Sequence, residues 1–327
     1  MALSVLEICA GGGGQAVGLE QAGFEPVGLL EIDKNACNTL KHNRPNWNIF
    51  EADIRDFSAK EFRGVDLLAG GVPCPPFSIA GKQLGPEDER DLFPEALRLI
   101  RESQPAAVML ENVAGFASAR FHDYRRGLLQ HLRTMGYEAD WQILNASSFR
   151  VPQLRPRFIL VAIKQQYADG FPWPSPLPHP PTVAETVGDL MASRGWPGAA
   201  DWMRKAAGIA PTIVGGSKKH GGPDLGPTRA RSQWALLGVD GLGIANEPPG
   251  PEFPKKAKPR LTVRMVARLQ GFPESWIFTG AKTAAYRQVG NALPPPVATA
   301  VASNIRDVLS GTITRPHSRQ AVLFHSA

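Results

Sequence analysis

The sequence predicts an α/β protein built on a doubly wound parallel sheet, and two observations support this prediction. In the N-terminal half, apolar runs of strand length alternate with amphipathic stretches of helix length, which is the pattern of repeated βαβ units. Polar or glycine-rich clusters also follow most of these apolar runs directly. Ligand-binding residues occupy this position in such sheets, because ligands bind at the carboxyl ends of the parallel strands.

Each element is predicted from its local pattern, in chain order. Strands are predicted at residues 3–8, 27–32, 65–69, 106–110 and 158–163, with a short strand near Ile49. Helices are predicted at residues 16–22, 35–41, 94–101, 121–135 and 263–269. The last predicted helix, residues 297–309, has one apolar face, so we expect it to pack back on the first domain.

Residues 165–259 have a different composition, which predicts a second, loop-rich domain. They hold 15 of the 30 prolines and 14 of the 33 glycines, and the alternation of strands and helices disappears. Basic residues are concentrated in two stretches, 215–222 and 228–231, which we interpret as flexible loops. A solvated linker of the same composition is an alternative interpretation.

Composition limits the classes of protein. The 327 residues are 43% hydrophobic and 20% charged, as in a globular protein, and the net charge of +6 favours a polyanionic partner such as nucleic acid. The three cysteines are odd in number and lack C-x-x-C spacing, so we expect no disulfides, no metal site and a reducing cytoplasm. The absence of a basic leader and of an apolar run near ~20 residues argues against export or a membrane location.

A glycine loop and two acids suggest a nucleotide-like ligand. Residues 11–14 follow the first predicted strand, and Glu31 ends the second, which places backbone amides and a carboxylate against such a ligand. Asp53, after the short third strand, is suited to accept from an adenine amino group. The spacing G-x-G-x-x-A from Gly11 satisfies the dinucleotide fingerprint, so NAD and a plain tight turn stay open. Because these loop ends carry no basic residue, a sulfonium cofactor such as S-adenosylmethionine fits better than a pyrophosphate.

Cys74 lies among three prolines after the apolar run 65–69, a frame that orients the thiol. A free thiol has a pKa of about 8.5 and needs neighbouring groups to act as a nucleophile. Glu111, at the end of a hydrophobic strand, is expected to be a protonated acid, with a helix cap as the alternative. Arg155 and Arg157 are expected to bind an oxyanion or phosphate, with a surface ion pair as the alternative.

A thiolate, a neutral carboxylic acid and an arginine are the groups that conjugate addition to an electron-poor heteroaromatic ring requires. The thiolate adds to the ring, the acid protonates a ring nitrogen, and the arginine holds the carbonyl oxygen. Addition turns a poorly nucleophilic carbon into an enamine carbon, which then attacks a methyl sulfonium. The residues therefore predict methyl transfer to such a ring.

These motifs resemble, in order and over nearly the whole chain, those of the DNA cytosine-5 methyltransferases. The matching segments are residues 6–14 with 18–24, Glu31, Asp53, Pro73-Cys74, Glu111-Asn112-Val113, residues 153–157, residues 260–264 with 268–273, and residues 288–294. Any one of these motifs is a modest signal, whereas eight in order are a strong one.

The resemblance implies a role for each matching residue. Cys74 attacks C6 of a flipped cytosine, Glu111 donates to N3, and Arg157 holds O2, while C5 takes the methyl group from S-adenosylmethionine. The implied catalytic residues are Cys74, Glu111, Arg155, Arg157 and Pro73. The implied cofactor-binding residues are Ile8, Cys9, Ala10, Gly11, Gly13, Glu31, Ile32, Asp53, Ile54, Asn291 and Ala292. The expected DNA contacts are Ser78, Lys82, Gln83, Thr212, Lys218, Lys219, Arg229 and Arg231.

The resemblance also implies a division into two domains. Residues 1–170 with 285–327 are expected to form a Rossmann-like catalytic domain that binds S-adenosylmethionine, and the last motif is expected to complete its pocket with a strand-end loop. Residues 171–284 are expected to form a smaller target recognition domain that reads double-stranded DNA. We expect a monomer in the bacterial cytoplasm, associated with the nucleoid through DNA and paired with a cognate restriction endonuclease.

Two positions depart from the family pattern. Cys9 stands where the family usually has an aromatic residue, and Pro75 stands where glutamine often follows the catalytic cysteine. Trp47 or Ile32 is expected to compensate for the first departure. Three rival interpretations stay open: a transfer RNA cytosine-5 methyltransferase, a catalytically silent nucleic-acid-binding regulator, and an NAD oxidoreductase.

Overall fold

The structure is a computed structural model that describes residues 2–73, 91–167, 171–216 and 222–312. Several residues singled out from the sequence lie outside these ranges. They are Cys74, Pro75, Ser78, Lys82, Gln83, Lys218 and Lys219.

Nine strands occur in the described part of the chain. They are β1 (Leu3–Ile8), β2 (Phe24–Glu31), β3 (Ile49–Glu51), β4 (Leu67–Gly71), β5 (Ala107–Val113), β6 (Tyr137–Asn145), β7 (Gln153–Leu154), β8 (Pro156–Lys164) and β9 (Ala210–Pro211). Seven of them form one sheet in the order β3-β2-β1-β4-β5-β8-β6, and β7 pairs with β9. The five strands from β3 to β5 are parallel, which confirms the predicted βαβ arrangement.

The far edge of the sheet differs from the all-parallel prediction. β8 runs antiparallel to both β5 and β6, and β6 has no counterpart among the predicted strands. Buried positions are few along β6, because it is the edge strand of the sheet. Continuous apolar runs identify strands that are buried on both faces, so a half-exposed edge strand escapes that criterion.

Helices cover both faces of the sheet. They are α1 (Gly14–Gln21), α2 (Lys34–Asn43), α3 (Phe93–Ser103), α4 (His122–Thr134), α5 (Val183–Ala192), α6 (Ala199–Lys205), α7 (Thr228–Leu236), α8 (Val263–Leu269), α9 (Lys282–Asn291) and α10 (Pro295–Leu309). α1 and α10 pack on one face, and α3 and α4 pack on the other. The predicted return of the last helix to the sheet is confirmed. Within the described residues, no helix has the length and apolar character needed to cross a membrane.

Residues 171–216 and 222–259 are more helical than the loop-rich prediction. α5, α6 and α7 contribute to a core that contains four buried tryptophans, of which three lie in this region and are each at most 4% exposed. These three tryptophans are Trp196, Trp202 and Trp234. The start of α5 carries a sequence signal, because the Thr182 hydroxyl and the Glu185 carboxylate form a capping box. The high proline and glycine content of this region predicts loops, so its three short helices were not predicted.

The expectation that Arg229 and Arg231 lie in a flexible loop is wrong. Both residues lie in the first turn of α7, where Arg231 Nη2 donates to Thr228 Oγ1 at 3.2 Å. Pro227 occupies the N-cap position and supplies no side-chain hydrogen bond, so no capping signal marks the start of this helix. The helix fixes the spacing between the two basic side chains.

α1 and α10 approach each other closely at Gly18. A Cβ atom at Gly18 would lie 2.5 Å from Ala298 Cβ and 2.6 Å from the Pro295 carbonyl oxygen. The glycine therefore lets the two helices pack at backbone contact distance. This contact ties the C-terminal helix to the helix that follows the glycine loop.

Gly18→Ala is expected to lower the free energy of unfolding by about 1–3 kcal/mol, because the added methyl group must separate α1 from α10. Gly127→Ala is the matched control, since Gly127 lies within α4 and an added Cβ would meet no atom within 4 Å. Alanine there is expected to raise stability by up to ~1 kcal/mol through helix propensity. Urea denaturation measures both changes, and equal effects would contradict the close-packing explanation.

Candidate active site

A cavity of about 460 Å³ lies at the carboxyl edge of the parallel strands. The strand order reverses there between β1 and β4, which is the position where doubly wound sheets bind ligands. The predicted site residues that line it are Cys9, Ala10, Gly11, Glu31, Ile32, Asp53, Ile54, Pro73, Glu111, Asn291 and Ala292. Ile8, Gly13, Arg155 and Arg157 lie outside its wall.

The glycine loop depends on a residue from the other end of the chain. Gly11 and Gly13 adopt left-handed φ angles of 55° and 88°, which glycine tolerates. Trp276 Nε1 donates to the Gly12 carbonyl oxygen at 3.0 Å, and a Cβ at Gly13 would lie 2.6 Å from the indole ring. Gly13 therefore allows the left-handed backbone of the loop and leaves room for the indole ring of Trp276. Ile8 is a buried core residue.

Two predicted acids, Glu31 and Asp53, face the cavity and have different partners. Glu31 Oε2 accepts from the Gly11 N–H at 2.7 Å, and its Oε1 accepts from the Asp33 N–H at 2.7 Å. These bonds hold the Glu31 carboxylate at the wall. Asp53 instead forms an ion pair with Arg55, in which Oδ2 and Nη1 are 3.0 Å apart.

Cys9 lines the cavity and has a left-handed backbone, with φ of 53°. Burial, followed by the charge of Glu31, raises the pKa of its thiol to about 12, so Cys9 is a neutral thiol at physiological pH. Ile32 lines the same cavity and is 64% exposed. Trp47 packs on Trp276 instead, with ring centroids 6.1 Å apart. Ile32, and not Trp47, therefore supplies apolar surface to the cavity near Cys9.

The end of α9 and the turn after it complete the cavity. Arg287, Gln288, Asn291 and Ala292 lie in its wall. The expectation of a strand-end loop is wrong, because these residues belong to the last turns of a helix and its connection to α10. Asn291 Nδ2 also donates to the Gly216 carbonyl oxygen at 3.2 Å, so this helix end contacts a distant segment.

Glu111 and Arg157 form a buried ion pair. Glu111 lies within β5, opposite Ile159 of the antiparallel β8, so Arg157 is its diagonal neighbour on the same face. Glu111 Oε1 and Arg157 Nε are 2.8 Å apart, and the side chains are 11% and 10% exposed. The alternatives of a helix cap for Glu111 and a surface ion pair for Arg157 are therefore wrong.

Burial determines the protonation of this pair. It raises the pKa of Glu111, and the charges of Arg157 and Arg155 oppose that rise only in part. Burial also lowers the pKa of both arginines. Gly71 of β4 lies opposite Glu111, and a Cβ there would be 3.3 Å from Glu111 Oε2. Gly71 therefore leaves room for the Glu111 carboxyl group. Because of its raised pKa, this carboxyl group holds its proton more readily than an exposed glutamate does.

Arg155 has a different environment from Arg157. It is 0% exposed and donates to carbonyl oxygens at 2.5, 2.8 and 2.9 Å. The acceptors belong to Ile213, Gly290 and Ala292. The two arginines predicted as one pair therefore separate, because Arg157 faces the acid and Arg155 faces the main chain of two other segments.

Pro73 is the last described residue before Cys74, and it lies in the cavity wall. Asn112 Nδ2 donates to the Val72 carbonyl oxygen at 2.8 Å, and the Leu92 N–H donates to the Pro73 carbonyl oxygen at 3.4 Å. The residue after the buried acid thus anchors the chain that enters the proline-rich segment.

Sequence reasoning missed two polar side chains of the wall, Glu7 of β1 and Gln15 of α1, which are 2% and 4% exposed. Glu7 Oε1 and Gln15 Nε2 have no hydrogen-bond partner among the described residues. Burial, reinforced by the charge of Glu31, raises the pKa of Glu7 well above its usual range. A glutamate inside the apolar run 3–8 was the available signal, because acids seldom occupy buried strand positions.

The described wall of the cavity is acidic. It contains five acids, Glu7, Glu31, Asp33, Asp53 and Glu111, and two arginines, Arg55 and Arg287. The pKa values of Glu7 and Glu111 are raised, and Arg55 is ion-paired with Asp53, so the wall has no large excess of positive charge that would attract a pyrophosphate. Across the described ranges, no group of three or more His, Cys, Asp or Glu side chains is arranged so that it could hold a metal ion.

The described residues that were predicted to contact DNA lie outside the cavity. The Thr212 hydroxyl donates to the Leu154 carbonyl oxygen at 2.7 Å, beside the pairing of β7 with β9. Arg229 is exposed on α7, and Arg231 is half-buried. The structure does not bring these three side chains together with the buried ion pair.

Comparisons with known proteins agree with this geometry. The family model described as C-5 cytosine-specific DNA methylase matches residues 3–307. The chain is 55% identical to Type II methyltransferase M.NaeI of Lentzea aerocolonigenes over 312 residues, which cover 94% of this chain and 76% of that protein. It is 50% identical to Type II methyltransferase M.NgoMIV of Neisseria gonorrhoeae over 308 residues, which cover 93% and 97% of the two chains.

Solved structures share the fold at low sequence identity. A DNA modification methyltransferase encoded within a prophage of E. coli has a TM-score of 0.67 and 23% identity, over 94% of this chain and 100% of that chain. The DNMT2 protein of Spodoptera frugiperda has a TM-score of 0.66 and 19% identity, over 93% and 100% of the two chains. These similarities confirm the Rossmann-like methyltransferase fold.

The chain therefore belongs to the C-5 cytosine-specific DNA methylase family, as the order of its motifs predicted. It is a DNA cytosine-5 methyltransferase, and its methyl donor is S-adenosyl-L-methionine. The NAD interpretation of the glycine loop is abandoned.

Glu7→Gln is expected to raise the melting temperature at neutral pH. The raised pKa means that the folded protein holds this proton more tightly than the unfolded chain does, so stability is lost as pH rises above the ordinary glutamate range. Removing the carboxyl group removes this loss, with an expected gain of about 2–6 °C at pH ~8 and little at pH ~4.

Thermal unfolding between about pH 4 and pH 8 measures this effect. Glu138→Gln is the control, since Glu138 is exposed on β6. A gain for Glu7→Gln that stays constant over the pH range would show that Glu7 does not change its protonation on unfolding.

Proposed function

We propose that this enzyme methylates C5 of a flipped cytosine in duplex DNA through a covalent bond between Cys74 and C6 of the base. The buried pair of Glu111 and Arg157 is the observation that carries this proposal. The pair joins a protonatable acid to a guanidinium, and the acid lies in the same cavity wall as Pro73. Cys74 is the next residue in the sequence.

In this mechanism Glu111 donates a proton to N3 of cytosine, while Arg157 holds O2. A proton donor must be protonated at working pH, and burial raises the pKa of Glu111 in the required direction. Arg157 is charged at all relevant pH values and presents several N–H groups, so contact with Glu111 leaves donors for a carbonyl oxygen.

The covalent step balances within the base and the thiol. The Cys74 thiolate forms the S–C6 bond as Glu111 transfers its proton to N3, and C5 becomes an enamine carbon. S-adenosyl-L-methionine, when bound, supplies the methyl group that C5 accepts. A base then removes the C5 proton, the S–C6 bond breaks, and N3 returns its proton to Glu111. The products are 5-methylcytosine and the regenerated thiolate.

The acidic cavity suits the sulfonium cofactor. We propose that Glu31 accepts from ribose hydroxyls and Asp53 from the adenine amino group, with Ile32 and Ile54 in apolar contact. The other proposed cofactor-binding residues line the same wall and are Cys9, Ala10, Gly11, Asn291 and Ala292. Ile8 and Gly13, which the sequence also predicted as cofactor-binding, lie outside the wall, and we propose that they act only by shaping the glycine loop. A ligand without phosphates agrees with a wall in which Glu31, Asp33 and Asp53 accompany the two arginines, Arg55 and Arg287.

We propose that residues 1–170 with 285–327 form the catalytic domain and that residues 171–284 read duplex DNA. The packing of α5 on α6 and the change in composition after residue 164 support this division, although one core continues from these helices into α1 and α2. The proposed DNA contacts are Ser78, Lys82, Gln83, Thr212, Lys218, Lys219, Arg229 and Arg231. The exposure of Arg229 on α7 agrees with a contact to phosphate or to a guanine edge.

The two most similar relatives described above are named Type II methyltransferases, which supports a role in restriction-modification. We propose that the enzyme protects host DNA from a cognate restriction endonuclease and acts as a monomer. Its proposed location is the bacterial cytoplasm, in association with the nucleoid through DNA. The transfer RNA and silent-regulator alternatives gain no support from these relatives.

Glu111→Gln is expected to slow methyl transfer by about 10²–10⁴-fold, because glutamine cannot transfer a proton to N3. DNA affinity is expected to change little, since the substitution keeps the shape of the side chain. Single-turnover methyl transfer and equilibrium DNA binding measure the two quantities, with the exposed Glu138→Gln as control. A merely two-fold effect on transfer would exclude Glu111 as the proton donor.

Incubation with unmethylated genomic DNA and S-adenosyl-L-methionine, followed by conversion sequencing, tests the proposed function. Methylation confined to one short motif is expected for the wild type and none for Cys74→Ala. Transfer RNA is offered in competition, and preferential methylation of RNA would support that alternative. Cofactor binding without methylation of either nucleic acid would support the silent regulator.

A further inference from the structure

The end of α9 contacts residues 213–216, which we call the linking segment. In the middle of α9, the Tyr286 hydroxyl lies 3.1 Å from the Val214 carbonyl oxygen and 2.6 Å from the Asp224 carbonyl oxygen. A Cβ atom at Gly290 would lie only 2.4 Å from Gly215 Cα, so the two main chains touch. The linking segment belongs to the proposed DNA-reading domain, and the end of α9 lines the cofactor cavity.

Arg155 joins the same two segments from the sheet side. Its Nη1 donates to the Ile213 carbonyl oxygen at 2.5 Å. Its Nη2 donates to the carbonyl oxygens of Gly290 and Ala292 at 2.8 and 2.9 Å. One guanidinium therefore binds the start of the linking segment and the cofactor-lining turn after α9.

Two buried glutamines reinforce this connection. Gln153 Oε1 accepts from the Ile213 N–H at 2.7 Å, and its Nε2 donates to Gln270 Oε1 at 2.8 Å. Gln270 Nε2 donates in turn to the Val289 carbonyl oxygen at 2.8 Å. The linking segment is thus connected to the end of α9 by a second route of fully buried hydrogen bonds.

The connection is stiff because Arg155 is buried without an opposite charge in contact, over the residues that the structure describes. Carbonyl oxygens from both segments solvate its guanidinium. If the segments moved apart, the buried cation would lose acceptors that water cannot replace, which is costly. The linking segment and the end of α9 therefore move together.

We propose that Arg155 is a positioning residue that couples cofactor binding to DNA binding. A cofactor that orders the turn after α9 also orders the linking segment. DNA then binds to a segment that is already ordered, so its binding costs less conformational entropy. The coupling is reciprocal, so DNA strengthens cofactor binding by the same factor. This inference rests on the proposed function of the two regions, and it replaces the substrate contact that the sequence predicted for Arg155.

The coupling factor is the ratio of the dissociation constants of S-adenosylhomocysteine without and with unmethylated genomic DNA, measured by calorimetry. The wild-type ratio is expected to be about 10. Arg155→Lys is expected to reduce it below about 3, because an ammonium lacks the planar fork that reaches acceptors on both segments.

Arg125→Lys is the matched control. Arg125 is also buried and donates to two carbonyl oxygens, those of Phe116 and Ser118, but it contacts neither segment. The Arg125→Lys variant is expected to have a lower melting temperature than the wild type and the same coupling factor. An unchanged factor in Arg155→Lys, or an equal loss in Arg125→Lys, would overturn the proposal.

Two further measurements cover a failure of Arg155→Lys to fold. Tyr286→Phe removes a hydroxyl that contacts both the linking segment, at Val214, and the Asp224 carbonyl oxygen, and it is expected to lower the coupling factor. Hydrogen exchange of the wild type is expected to slow at residues 213–216 when S-adenosylhomocysteine is added alone. Absence of this protection would overturn the coupling even in an active methyltransferase, whereas protection without methyl transfer would keep the coupling and reject the proposed function.

Discussion

The antiparallel pairing of β8 with β5 is the constraint on which the site depends. Because β8 enters the sheet at the carboxyl edge of the parallel strands, it carries Arg157 to the same face as Glu111, two positions away in the register. In a parallel strand over the same positions the arginine would lie level with Ala107, four residues from Glu111 along the sheet, or roughly 13–15 Å away. The direction of one strand therefore brings the acid and the guanidinium together.

The cavity is built from both ends of the described chain. The glycine loop after β1 accepts a hydrogen bond from Trp276, and α1 packs on α10 at Gly18. The turn after α9 closes the cavity from the C-terminal side, and Arg155 holds that turn. Loss of either contact would therefore disturb the wall of the cavity, although neither contact involves a ligand.

The site also contains buried ionisable groups that lower the stability of the folded protein. Glu7 and Glu111 are buried acids whose pKa values lie above the usual range, and Arg155 is a buried cation. Such groups destabilise an empty fold and favour a state in which a ligand supplies the missing partners. A buried acid with a raised pKa therefore lowers the stability of the folded protein at neutral pH.

The sequence by itself determined the βαβ order, the glycine loop, the acids after β2 and β3, and the family, because these depend on local patterns and on the order of motifs. Tertiary structure alone decided the direction of β8, the edge strand β6, the contact of Trp276 with the glycine loop and the different environments of Arg155 and Arg157. The physical reason is that strand direction, burial and hydrogen-bond partners arise between segments far apart in sequence. Two arginines separated by one proline look equivalent along the chain until their surroundings are known.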